Sequence, residues 1–156
     1  MEEWPIWRRA VLEPVIDQAI ERIYEDLDAA VAERNPTCWI SGRCCDFDAF
    51  GHRLYVTGLE IAWVLRRVDA LDSVQTSKPG SANAPCVYQK EKLCTIHKVR
   101  PLGCRLFFCQ EGTQDWQQEL YEQFMQGIRR LHEAHDLPYQ YMEWRVGLSE
   151  AMAAQT

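Results

Sequence analysis

Seven cysteines in a chain of 156 residues are the side chains here whose chemistry most needs explaining. They fall in two blocks, Cys38, Cys44 and Cys45, then Cys86, Cys94, Cys104 and Cys109. A thiolate is a nucleophile, a disulfide partner or a soft metal ligand. The odd count rules out a complete set of internal disulfides. A cysteine kept for packing sits on a core face as a small hydrophobe, whereas all seven lie between the apolar stripes. Metal ligation fits this pattern best. A tetrahedral zinc site takes four thiolate or imidazole ligands, and an iron–sulfur cluster is held by four cysteines.

The spacing bears on which metal. Five residues separate Cys38 from Cys44, seven separate Cys86 from Cys94, nine follow to Cys104 and four to Cys109. There is no C-x-x-C pair of the kind that zinc ribbons favour, so an iron–sulfur cluster suits the spacing at least as well as zinc. Cys44 and Cys45, if extended, point to opposite sides of the backbone. One ligand and one bystander, or ligands to two neighbouring centres, is the expectation for that pair.

Charge separates the second block from the rest of the chain. Lys90, Lys92, Lys98, Arg100 and Arg105 face a single acid, Glu91, in a protein of net charge −6. Nearby cations favour deprotonated sulfur. Arg100 and Arg105, set around Pro101, Gly103 and Cys104, are candidate cofactor-binding residues, while the lysines read as a solvated patch. Leu102, Leu106, Phe107 and Phe108 offer an apolar wall. His97, three residues after Cys94, is an additional candidate ligand. His132 and His135 share a helix face without an acidic partner motif and read as surface or packing residues; His52 carries no signal.

At these residues the sequence resembles a known family. "CWISGRCC" followed by "VTGLE", then "CVYQKEKLCTIHKVRPLGCRLFFC", is similar to the YkgJ-type cysteine-cluster family, described as a zinc- or iron-chelating domain. The resemblance covers about Cys38 to Cys109, and "LCTIHKVRPLGCR" is its most specific part. It implies a metal centre and names no reaction. Flagellin lysine N-methylase carries a similar cluster, so the resemblance leaves an enzymatic role open. Ser41 stands where the family pattern has its second cysteine, which implies the loss of that ligand, with Cys109 as its replacement.

Helices must position these blocks. Leu12, Val15, Ile16, Ala19, Ile20, Ile23, Leu27 and Val31 recur at three- and four-residue spacing, which predicts an amphipathic helix ended by "NP" at 35 and 36. Thr57 and Glu60 form a capping-box signature for a helix running to about Leu71. "QKEK" reads as a turn between two short extended pieces, and "TIHKVRP" as a single helical turn stopped by Pro101. Asp115 with Gln118 predicts the start of a helix carrying Trp116, Leu120, Tyr121, Phe124, Ile128, Leu131 and His135. Pro138 predicts the start of a last helix through Met152.

The expectation is a single, mainly α-helical domain over 1–156, with a cysteine-cluster core at 38–109 and flanking helices at about 13–34 and 115–155. Its cysteine-rich loops would be organised around an iron–sulfur cluster or zinc. The negative charge opposes general nucleic-acid binding. No apolar run approaches membrane-spanning length and "MEEWPIW" is no signal peptide, so a cytoplasmic location is expected. No Ser-His-Asp set, phosphate loop, paired-carboxylate motif or dinucleotide fingerprint stands out. The expected partners are a metal ion or cluster and, beyond it, an unidentified protein. The alternatives are a metal-dependent enzyme, as a redox or methyl-transfer component, and a zinc-stapled interaction module.

Overall fold

A computed structural model describes residues 1–34, 54–71, 86–91, 93–106 and 114–155. Cys38, Cys44, Cys45 and Cys109 lie outside the described residues, as do Ser41, His52, Lys92, Phe107 and Phe108. The protein is mostly helical. Helix α1, Trp4–Ala10, opens the chain with Pro5 in its first turn, where the missing amide costs nothing. Trp4, Trp7 and Ala10 recur every third residue, and all are buried. Hydrophobic periodicity counted from Leu12 misses this helix.

Helix α2, Pro14–Arg34, buries Ile16, Ile20, Tyr24 and Leu27. Leu12 and Val15, expected on its apolar stripe, are exposed, because the turn out of α1 carries Val11 into the core instead. Tyr24 takes a place on the buried face that a count of aliphatic residues does not assign to it.

Strand β1, Tyr55–Thr57, runs directly into helix α3, Gly58–Val68. Every residue from Gly58 to Leu65 is buried, so α3 is covered on all sides up to Leu65, packed against α1, α2 and α6, and emerges only at Arg66. The capping box at its start is present, and the helix ends three residues short of Leu71. Two short strands, β2 (Gln89–Lys90) and β3 (Leu93–Cys94), form the hairpin expected around "QKEK", with Glu91 in the left-handed region at φ 51°. A single 3-10 turn at His97–Val99 precedes helix α4, Leu102–Leu106.

Helix α5, Gln114–Ala134, packs against α2 and α4. Asp115 lies inside its first turn and is not the cap; Gln118 donates to Glu122 one turn along. The helix expected at Pro138 starts later. Gly58 N–H donates to the Gln140 carbonyl, and residues Tyr141–Glu143 form strand β4, antiparallel to β1 with Val56 opposite Met142. The strand ladder therefore claims this backbone before helix α6, Trp144–Ala154, begins. The carboxyl of Glu143 accepts from Val146 N–H, so each strand of the pair supplies its last residue as the cap of the next helix. No helix among the described residues is long and apolar enough to cross a membrane.

Candidate metal centre

The side chain at the middle of the molecule is Glu60, 1% exposed. Its Oε2 accepts from Thr57 N–H at 2.9 Å and from Thr57 Oγ1 at 3.1 Å, while Thr57 Oγ1 accepts from Glu60 N–H at 3.2 Å. Its Oε1 reaches out of the capping box, accepting the Tyr24 hydroxyl at 2.9 Å and the Leu102 amide at 3.2 Å. Four donors on two oxygens satisfy a carboxyl that burial would otherwise penalise heavily. One side chain thereby joins α2, the start of α3 and the start of α4. Burial, then Glu60, pushes the Tyr24 phenol well above its ordinary pKa, with Arg105 opposing, so Tyr24 stays a neutral donor.

Residues 97–105 are folded around two arginines. Arg100 Nε donates to the His97 carbonyl at 2.9 Å and its Nη1 to the Cys104 carbonyl at 3.2 Å. Arg105 Nε donates to the Arg100 carbonyl at 2.7 Å, Nη2 to the Lys98 carbonyl at 3.1 Å and Nη1 to Asp28 Oδ2 at 2.8 Å. The Arg105 guanidinium also lies over the Tyr24 ring, 4.5 Å from its centroid. These are the residues in "RPLGCR" expected to serve the centre. Here they satisfy the carbonyls of His97, Lys98, Arg100 and Cys104 that a tight turn leaves open, with the Arg105 charge paired to Asp28. Gly103 admits Leu54: a Cβ at that position would collide with Leu54 Cδ1. Leu54, just before β1, is thus seated against α4.

Cys86 is buried, and Cys94 and Cys104 are half-buried. Cys94 sits on β3 opposite Gln89, and Cys104 lies in the middle of α4. Cys86 Sγ accepts the indole N–H of Trp144 at 3.2 Å. Among the described residues, no three Cys, His, Asp or Glu side chains gather as a metal-binding group. The chemistry of the donor set nevertheless suits a soft or borderline metal: three thiols within one folded segment, with cations at its backbone. A complete ligand shell would have to draw on Cys38, Cys44, Cys45 or Cys109. His97 is exposed on the 3-10 turn, and what desolvation it has, reinforced by Arg100 and Arg105 and opposed by Asp28, holds its imidazole below the ordinary range. That is the neutral form that binds metals.

His132 is a packing residue, 2% exposed, with Nδ1 2.8 Å from the Ile128 carbonyl and its ring edge-on to Tyr139. It lines a groove of about 430 Å³ with Arg129, Glu133, Asp136, Leu137 and Tyr139, none of them a cysteine. Sequence reasoning missed two participants at the cysteine segment. Tyr24 falls at helical spacing from Ile16 and Ile20, a signal that was available. Trp144 is 58 residues from Cys86, and no local pattern pairs them.

No family model, curated protein or solved structure matches this chain.

Proposed function

We propose that this chain is a cysteine-ligated metal-binding protein of the YkgJ type, whose iron–sulfur cluster or zinc is structural or handles electrons or metal. The observation that carries the reading is the hydrogen bond from Leu102 N–H to Glu60 Oε1. It fixes the helix that follows the first cysteine block to the backbone two residues before Cys104. The bond thus ties α3, the helix next in sequence after the first cysteine block, to α4, which bears Cys104. The Arg100 and Arg105 hydrogen bonds support it further, since they brace the backbone leading to Cys104 and bring the Arg100 guanidinium to the Cys104 carbonyl. Cys86, Cys94 and Cys104 would be ligands from the second block, with Cys109; Cys38, Cys44 and Cys45 would supply the first. When bound, the metal would staple the loops to the helices, and a cluster would add electron transfer.

Anaerobic purification followed by elemental analysis and a visible spectrum tests this. Stoichiometric iron with sulfide and a broad visible absorption identifies a cluster; stoichiometric zinc without colour identifies the other centre. A folded protein carrying neither metal, and taking up neither on anaerobic reconstitution, overturns the proposal.

A further inference from the structure

Trp144 opens α6, and its backbone N–H donates to the Leu54 carbonyl at 2.8 Å, where the β1–β4 pair ends. The strand pair thereby aims the indole. Its Nε1–H points at Cys86 Sγ across 3.2 Å, with the two residues 1% and 6% exposed. On the backbone side, the Cys86 carbonyl accepts from Gln89 N–H at 2.9 Å, which anchors the cysteine to the β2–β3 hairpin.

A neutral thiol is a weak acceptor, whereas an anionic sulfur forms a charge-assisted bond roughly twice as strong as a neutral one. Simple need for an acceptor does not dictate this contact. Among the described residues, the buried indole nitrogens of Trp4 and Trp63 have no hydrogen-bond partner, and that of Trp7 takes a backbone carbonyl, Pro138 O, at 2.8 Å. Trp144 instead meets sulfur.

We propose that Trp144 is a positioning residue for the metal centre: its indole N–H fixes the Cys86 sulfur and withdraws charge from it when that sulfur is bound to metal. The assignment rests on the metal reading above and extends it to a residue outside the cysteine segments. Outer hydrogen bonds of this kind orient ligands and tune the metal, and losing one typically weakens metal binding about 10–100-fold.

The test compares the parent, Trp144→Phe, and the benzothienyl analogue of tryptophan placed at 144, which keeps the ring shape and lacks the N–H. Metal content, the sulfur-to-metal charge-transfer band (native for a cluster, cobalt-substituted for zinc) and chelator competition are measured on each. Both changes should retain the metal, shift the band to lower energy and weaken binding about tenfold or more. Should the phenylalanine variant fail to fold, the analogue decides alone. A metal-loaded analogue with the parent's band and affinity overturns the assignment while leaving the metal reading intact. A parent that binds no metal overturns both.

Discussion

The Leu102 amide donates to Glu60 Oε1 across 3.2 Å, joining residues 42 positions apart in the middle of the core. The same oxygen accepts the Tyr24 hydroxyl, and its neighbour accepts Thr57 twice. Because all four partners are donors, no orientation of a glutamine amide can replace the carboxyl. Its NH₂ would face either Tyr24 and Leu102 or Thr57. Glu60→Gln should therefore destabilise the protein by about 2–4 kcal/mol, the cost of one or two orphaned buried donors. Denaturant melts give the number; a loss below about 0.5 kcal/mol would show that Glu60 is not the junction described.

Two glycines should respond oppositely to alanine. A Cβ at Gly58 would lie inside the van der Waals envelope of the buried Trp7 ring, so Gly58→Ala should cost about 1–3 kcal/mol through overpacking. At Gly127, inside α5, a Cβ meets only Ile23 at ordinary distances of 3.6 and 3.7 Å. Gly127→Ala should stabilise by about 0.5–1 kcal/mol, from helix propensity and a less free unfolded chain. Thermal melts of the pair check both signs.

His132 should make stability depend on pH in mild acid. Burial lowers its pKa below the ordinary 6.5, with the Ile128 carbonyl and Glu60 opposing. For a base with a depressed folded pKa, the stabilisation is present above pH 6.5 and is lost as pH falls through the folded value. His132→Leu should flatten the decline below pH 6.5 relative to the parent, leaving the share due to His97, also held low. Urea melts between pH 7.5 and 5 supply the comparison, and parallel curves for the two proteins would refute it.

Metal removal should be felt as unfolding. Ligation of an assembled site is folding free energy, so chelation or Cys104→Ser should lower the melting temperature by several degrees or more. Ser41→Ala should leave it nearly unchanged. Equal and small effects from all three would mean that the centre is dispensable or misassigned.

An open coordination position would separate an enzyme from a scaffold. Ser41, where the resembling pattern has cysteine, is the place for one, and Arg100 the cation for an anion bound there, since Arg105 is buried and paired with Asp28. Small anions or thiols should perturb the visible spectrum of an open centre, and Ser41→Cys should suppress that response. A parent spectrum indifferent to these ligands favours a closed, structural centre.

Local rules in the sequence were enough to place α2, the capping box at Thr57, the "QKEK" hairpin and the turn at "TIHKV", because each follows from spacing or from a short-range hydrogen bond. They also marked Arg100 and Arg105 as belonging with Cys104. They failed where another segment competes for the same backbone. Residues after Pro138 form a strand because β1 offers them a ladder, and Leu12 and Val15 face outward because α1 fills the core beside them. The sequence by itself determined the chemistry available: seven thiols, a basic segment and a helix-capping glutamate. Only the tertiary structure decided that this glutamate reaches Leu102, that Arg105 lies on Tyr24, and that Trp144 meets Cys86. Each of those partners is between 42 and 81 residues from its mate, beyond any periodicity a helix or strand imposes, and only the packing of the core brings them within hydrogen-bond or ring-contact range.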